Sequence, residues 1–362
     1  MEDLLEYKCP CCGAGLKFSS ALQKMKCDYC DSEFDVETLK AYDEALKKTE
    51  GKTPEVDVPT GSEWRFGEQD GIRVYLCQSC GGEVLGDETL AASACPFCGN
   101  PVIMKEQFAG DLRPDLVIPF RLDKTAAKAA FEKHLVGKKL LPKVFKSEHH
   151  IDEIKGVYVP FWLFDADVNA TARFHGTKTR SWSDLRYHYT ETSHYSILRS
   201  ADIGFSGIPV DGSEKMDDTL MESLEPFDLK DAVDFQTAYL SGYFADRYDV
   251  TAEQSAPRAN ERLRISSEGV LQKRVKGYVT VAIESSNIEA RSSSSRYALF
   301  PVWLLNTTWR GKQYRFAMNG QTGKFVGDLP MDGGAYARWL LFVGLGAAVG
   351  AYALLTLLSA VL

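Results

Sequence analysis

The chain has 362 residues, of which 44% are hydrophobic and 25% charged, and its formal net charge is −8. This composition is typical of a folded globular protein, and the length allows two or three structural units. The acidic balance argues against a protein whose main ligand is a nucleic-acid backbone, because phosphate binding depends on clustered cations.

Eight of the nine cysteines form two identical frames. Each frame reads C-x2-C, then fourteen residues, then C-x2-C, and the second starts 68 residues after the first. Two such turns facing each other bring four thiolates around one tetrahedral ion. The frames therefore predict two structural Zn²⁺ sites with no open coordination position, made by Cys9, Cys12, Cys27 and Cys30 and by Cys77, Cys80, Cys95 and Cys98.

The alternatives to zinc are disulfides or cysteines that only fill space, and neither explains why one frame occurs twice. Cys11 lies inside the first frame and competes with Cys12 as a ligand. We favour Cys12, because it keeps the two-residue gap and is followed by Gly13. Glycine at this position allows the positive φ that such a turn uses.

In chain order, the first zinc ribbon is predicted over residues 7–35 and the second over 73–103. Both are small all-β units. Between them, 36–72 contains a short helix at 36–49 and a linker rich in Pro, Gly and acidic residues.

An α+β domain with an antiparallel sheet is predicted over 115–330. It begins with a strand at 116–120 and a helix from Lys124 to Leu135 with Asp123 as its N-cap. Further expectations are a strand with a hairpin partner at 155–174, a strand pair at 184–198, a helix around 261–275, and a closing hairpin with Asn319-Gly320 as its turn.

Residues 339–362 contain no charge and no proline and are long enough to span a bilayer. Arg338 and Trp339 precede and begin the stretch, as expected at a lipid interface. We expect a C-terminal tail anchor. Gly346 and Gly350 form a GxxxG step, which either mediates self-association of two tails or only reflects the abundance of glycine in membrane helices.

The orientation of this single span follows from two observations. The N-terminal sequence MEDLLEY is not a secretory signal, and thiolate zinc sites suit a reducing compartment. We therefore expect a cell-membrane protein with its N-terminal bulk in the cytoplasm.

The sequence contains no catalytic signature that withstands inspection, and we expect a protein that is not an enzyme. The segment 149–153, HHIDE, is either a solvated loop or a metal ligand set, and the loop is favoured. Five lysines between Lys133 and Lys146 form either a plain solvated face, which is favoured, or a surface toward anionic lipid.

The segments CPCCG, CDYC, CQSCGGE and CPFCGN, followed by VIPF, VPFWLF, FPVWLL and NGQTGK, resemble a family of bacterial membrane proteins. These are labelled TFIIB-type zinc-ribbon-containing, and some are labelled primosomal helicase-like through the ribbons alone. The resemblance covers nearly the whole chain. It implies a membrane-bound accessory protein that recruits SPFH-like or phage-shock-type proteins.

The favoured hypothesis is thus a non-enzymatic, tail-anchored scaffold that binds protein partners at the bilayer. The alternative is a membrane-tethered, nucleic-acid-associated ribbon protein. A basic patch on the first ribbon would serve it, at Lys8, Lys17, Lys24 and Lys26. The net charge makes nucleic acid the weaker expectation. An enzyme with an unrecognised site in the α+β domain is a third hypothesis.

Overall fold

The computed structural model describes residues 9–11, 14–19, 24–39, 41, 62–65, 68–69, 72–86, 94–107, 112–142, 145 and 153–361. Contacts divide the chain into two compact units that do not follow chain order. The first unit comprises Met1–Pro59, Phe164–Ile208 and Ala256–Ser295, and the second comprises Thr60–Leu163, Pro209–Ser255 and Arg296–Leu362.

The described strands include short ribbon strands and three that exceed twenty residues. They are β1 (Leu16–Ser19), β2 (Lys24–Cys27), β3 (Glu33–Phe34), β4 (Arg73–Cys77), β5 (Glu83–Gly86), β6 (Val102–Gln107), β7 (Leu116–Val117), β8 (Lys155–Ser183), β9 (His188–Asp211), β10 (Val233–Asp234), β11 (Phe244–Asp246), β12 (Thr280–Trp309), β13 (Lys312–Asn319) and β14 (Phe325–Gly327). The α-helices whose ends both lie in the described part of the chain are α1 (Lys124–Leu135), α2 (Asp218–Leu224), α3 (Ala252–Lys273) and α4 (Gly333–Val361).

The first unit contains the N-terminal ribbon. Its sheet is antiparallel, with β1 paired to β2 and β2 paired to β3. Of the predicted helix at 36–49, residues 36–39 and 41 are helical, and the others lie outside the described part of the chain. Leu39 is buried with Cys9, Leu16 and Cys27 in a small cluster of its own.

The rest of the first unit contains parts of β8, β9 and β12 with most of α3. β8 and β9 are joined by a turn in which the Asp184 N–H donates to the Tyr187 carbonyl at 2.9 Å. The predicted strand pair at 184–198 is therefore wrong: 184–187 is this turn, and β9 is one continuous strand. The run of polar and aromatic residues that suggested two strands reflects the exposure of both faces.

The second unit contains most of a large mixed sheet, whose strand order is β10-β7-β12-β8-β11-β5-β4-β6. β13 pairs with β12 and with β14. Most pairs are antiparallel, but β11 runs parallel to β8 and β12 runs parallel to β7. The ribbon strands β4, β5 and β6 thus continue the same sheet that carries the α+β core.

Helix α1 has the predicted bounds and N-cap, because the Asp123 side chain accepts a hydrogen bond from the Ala126 N–H. Its buried residues Ala127, Phe131 and Leu135 recur at helical spacing and pack in a cluster with Phe316 and Met318 of β13. The closing hairpin is also present as β13 and β14, although its connection runs from Gly320 to Lys324 instead of being a two-residue turn.

Helix α4 includes a window, Gly333–Tyr352, that is long and apolar enough to cross a membrane by length and composition. None of the residues in that window is buried within the chain. Large apolar side chains such as Leu341 and Phe342 are 68% and 78% exposed, as expected of a helix whose covering would be lipid.

Candidate metal centres

The second frame forms a closed four-sulfur group in the second unit. The four Sγ atoms of Cys77, Cys80, Cys95 and Cys98 all lie within 4.8 Å of one another. The Cys77–Cys98 sulfurs are 3.4 Å apart and the Cys80–Cys95 sulfurs 3.7 Å. A disulfide would require about 2.05 Å. Sulfurs held at about 2.3 Å from a tetrahedral ion are about 3.8 Å apart, so the geometry fits one metal ion.

The chain makes this group by reversing direction twice in the same way. The Gly81 N–H donates to the Cys77 carbonyl at 2.8 Å, and the Gly99 N–H donates to the Cys95 carbonyl at 2.9 Å. Both glycines have positive φ, +71° and +78°, which costs a residue without a Cβ little. The turn geometry thus requires a positive φ after the second and fourth cysteines, and glycine adopts it at little cost.

Hydrogen bonds to sulfur give two of these thiols different acidity. Burial raises the pKa of the Cys95 thiol, although the Phe97 N–H donates to its sulfur at 3.4 Å. At Cys98 burial acts in the same direction, but hydrogen bonds from the Asn100 backbone and side chain lower the pKa to about 7. A bound cation would favour the thiolate at every position, so the four sulfurs could together hold a metal ion.

The second knuckle of this site is the turn that contains Cys95 and Cys98. Three polar side chains that the sequence did not predict hold this turn against the large sheet. Lys155 donates to the Ala94 carbonyl, and Asn306 donates to the Pro96 carbonyl. Arg315 donates to the Phe97 carbonyl at 3.1 Å. These partners come from β8, β12 and β13, between 61 and 218 residues away in sequence. No local sequence pattern predicts these hydrogen bonds.

The first frame brings together the sulfurs of Cys9, Cys27 and Cys30, again within 4.8 Å of one another. The Cys9–Cys30 sulfurs are 3.6 Å apart, which is too far for a disulfide. Cys12, the fourth predicted ligand, lies outside the described residues. The Cys11 sulfur does not belong to the group. The backbone N–H of Cys11 instead donates to the Cys9 sulfur at 3.4 Å.

The second turn of the first frame repeats the geometry of the other site with a different residue. The Asp31 N–H donates to the Cys27 carbonyl at 3.0 Å, and Asp31 has φ +57°. Aspartate is among the non-glycine residues that tolerate this region, so the turn survives without glycine.

The three described lysines of the first ribbon are all paired with aspartates. Nζ–Oδ distances are 2.6 Å for Lys17–Asp28, 3.9 Å for Lys24–Asp35 and 3.1 Å for Lys26–Asp31. Lys8 lies outside the described residues. These aspartates neutralise the cations that a basic patch on this ribbon would use.

The two sites differ in how they are packed. Cys77 and Cys95 belong to a core cluster that also contains Phe161 of β8 and Phe300 of β12, whose rings are stacked 4.5 Å apart. The first frame instead packs with Leu16 and Leu39 in a separate cluster of four fully buried residues. The sequence frames are identical, but only the second lies inside the main core of its unit.

The described histidines do not form a further centre. His149 and His150 lie outside the described residues. His175 Nε2 is 2.9 Å from His194 Nδ1, and the His175 ring is 3.5 Å from Glu284, both on exposed strand faces. Among the described residues, the two cysteine groups are the places where three or more His, Cys, Asp or Glu ligand atoms converge.

Comparison with known proteins gives one informative relationship. Over 356 residues the chain is 33% identical to "Uncharacterized protein YdjG" of Bacillus subtilis (strain 168), covering 98% of each chain. No family model matches, and no solved structure matches. The resemblance to TFIIB-type zinc-ribbon proteins stays a prediction.

Proposed function

The chain belongs to the same family as YdjG of Bacillus subtilis, and we propose that it is a tail-anchored scaffold that holds two structural zinc ions and recruits protein partners to the membrane. The observation that carries the proposal is the combination, in one chain, of a four-sulfur group, a second group of three described sulfurs and an apolar C-terminal helix. Each four-thiolate centre leaves no position for substrate, which suits a structural role.

Zinc is the proposed ion because four thiolates in tetrahedral arrangement are its usual structural donor set. The proposed ligands are Cys9, Cys12, Cys27 and Cys30 for one ion and Cys77, Cys80, Cys95 and Cys98 for the other. Elemental analysis of the purified chain should give close to two zinc ions per chain. A value near zero, with disulfides found by mass, would overturn this assignment.

The proposed topology is a single span in the cell membrane with the N-terminal bulk in the cytoplasm. A cytoplasmic location keeps the thiols reduced and available to metal. Protease added outside intact cells should leave both ribbons untouched. Cleavage within the first ribbon would show that the N-terminal bulk lies outside the cell.

The proposed partners are SPFH-like or phage-shock-type proteins, a class taken from the family resemblance in the sequence. The ion-paired lysines of the first ribbon argue against phosphate contacts at that ribbon. The full chain should be purified from native membranes and its partners identified by mass spectrometry after nuclease treatment. Capture of an SPFH-like or phage-shock-type protein by the parent chain, lost in Cys27→Ser, supports the scaffold. Equal capture by the parent chain and by Cys27→Ser would show that the first ribbon does not form the contact.

A membrane-tethered nucleic-acid-binding protein is the second candidate, and the β8–β9 hairpin provides the observation that favours it. Trp182 is 44% exposed, the Arg180 guanidinium lies 5.6 Å from its ring, and Lys178 lies over the Tyr195 ring. Such alternation of cations and rings is used to hold single strands. However, Trp182 is already stacked on Tyr189, so less of its ring is open to a base.

Binding to single-stranded and duplex DNA at about 50 and 200 mM salt separates the candidates, because phosphate contacts weaken steeply over this range. Sub-micromolar affinity at the higher salt, lost in Arg180→Glu, would establish the second candidate. The scaffold proposal expects no such binding.

A further inference from the structure

A cavity of about 500 Å³ lies in the second unit beside the first turns of α4. It is formed by the loop that follows α1, by the segment that precedes α4, and by α4 itself. The residues that matter for its chemistry are Lys138, Lys139, Leu141, Leu329, Met331 and Trp339. Its size is in the range of sites that bind small molecules.

Backbone contacts hold the two sides of this cavity together. The Asp332 N–H donates to the Leu140 carbonyl at 2.8 Å, which ties the base of α4 to the loop after α1. Gly137 opens that loop with φ +80°, a conformation that favours glycine. The cavity therefore belongs to the fold of the second unit.

The position of the cavity relative to a bilayer follows from Trp339. This residue begins the uncharged stretch, and indoles at the end of a span lie at the level of the lipid headgroups. A cavity lined by Trp339 then lies at that level as well. This step rests on the proposed membrane attachment.

The cavity combines apolar walls with two cations. Lys138 Nζ lies 2.7 Å from His134 Nε2, and burial lowers the pKa of both Lys138 and His134. Within the described part of the chain, neither Lys138 nor Lys139 forms an ion pair. Asp332 follows the lining residue Met331 in sequence, and its carboxylate accepts a hydrogen bond from the Gly334 N–H at 2.9 Å.

A partly desolvated ammonium without a carboxylate attracts an anion, because burial has removed part of its hydration. Leu329 and Met331 offer apolar surface next to it, and Met331 is 57% exposed. Inorganic phosphate would use the lysines but leave the apolar walls wet. A phospholipid uses both.

We propose that this cavity binds one anionic phospholipid, with the headgroup phosphate at Lys138 and Lys139 and one acyl chain along Leu329 and Met331. The site would select anionic over zwitterionic lipid at the point where the tail enters the bilayer.

Native mass spectrometry of the full chain in detergent, with added phosphatidylglycerol or phosphatidylcholine, tests the proposal. We expect the parent chain to retain phosphatidylglycerol preferentially. In the double variant K138E/K139E, the ratio of retained phosphatidylglycerol to retained phosphatidylcholine should fall by at least about fivefold for each lysine replaced. K124E/K230E is the matched control, because it makes the same charge change at exposed lysines of the same unit. Met331→Trp, which fills the cavity from an exposed position, should also lower retention.

Equal retention of the two lipids by the parent chain would overturn the proposal. So would a K138E/K139E variant that retains phosphatidylglycerol as well as K124E/K230E does. Complete displacement of the lipid by excess inorganic phosphate would contradict the proposed acyl-chain contact. Cell fractionation is done in parallel: a parent chain found in the soluble fraction overturns the membrane attachment and the lipid site together. A membrane-bound chain without lipid preference overturns the site alone.

Discussion

Replacing Cys95 by serine is expected to destabilise the second unit as a whole, whereas replacing Cys27 by serine should affect only the first ribbon. The difference comes from packing. Cys95 shares a core cluster with Phe161 and Phe300, whereas Cys27 packs in a small separate cluster with Cys9, Leu16 and Leu39.

The magnitude can be worked from the side chains that the second ribbon contributes to that core. Four of them, Tyr75, Val84, Phe97 and Val102, are at most 8% exposed. Burying each contributes about 1.5–3 kcal/mol, so their loss removes about 6–12 kcal/mol. A domain is stable by only about 5–15 kcal/mol, so the rest of the unit should not remain folded.

Amide hydrogen exchange of the full chain reports on this directly. In the segment 300–304 of β12, the alternate residues Phe300, Val302 and Leu304 lie in the core cluster and in no ribbon, which makes their amides the reporter. We expect fast exchange there in Cys95→Ser and parent-like exchange in Cys27→Ser, with about one zinc ion left in the Cys27→Ser chain. Parent-like protection of 300–304 in Cys95→Ser, or equal loss in both variants, would refute the reasoning.

Deleting 339–362 should move the chain to the soluble fraction, and retention in salt-washed membranes would reveal another anchor. Arg113→Ala should lower the free energy of unfolding of the second unit by about 3 kcal/mol, because it leaves Glu68 and the Phe235 carbonyl without their buried donor; a change below about 1 kcal/mol in denaturant titrations would contradict this. Burial raises the pKa of Asp246 to about 8, so the folded chain keeps a proton that the unfolded chain loses above about pH 4. Stability should therefore fall as pH rises between these values, by up to about 1.4 kcal/mol per unit, and Asp246→Asn should flatten the slope in thermal melts, with Asp234→Asn as control.

Local signals in the sequence were sufficient where one segment determines its own structure. The sequence predicted α1 with its observed bounds and with Asp123 as its N-cap, and Ala127, Phe131 and Leu135 are buried at helical spacing. Glycine after the second cysteine of a frame is expected to allow a positive φ, and Gly81, which follows Cys80, has one. In each case every deciding residue is within four positions of the next one along the chain.

Distant partners determine what the sequence did not predict. The parallel pairing of β7 with β12 aligns Leu116 with Ala298, which are 182 residues apart. The lengths of β8, β9 and β12 depend on their mutual pairing. The alternation of buried and exposed residues stops where both faces of a strand are exposed, so it does not indicate where the strand ends. The contacts of Arg315 with the second knuckle also depend on this sheet.

The two cysteine frames show how identical motifs acquire different physical roles through their surroundings. The second frame contributes Cys77 and Cys95 to the main core, so we expect its loss to unfold the unit as well. The first frame has its own small cluster and a surface of paired charges at Lys17–Asp28 and Lys26–Asp31. A partner that binds the first ribbon should thus be lost in Cys27→Ser while the second unit stays folded. A partner that binds the second unit should be lost only in Cys95→Ser, together with its protection from exchange.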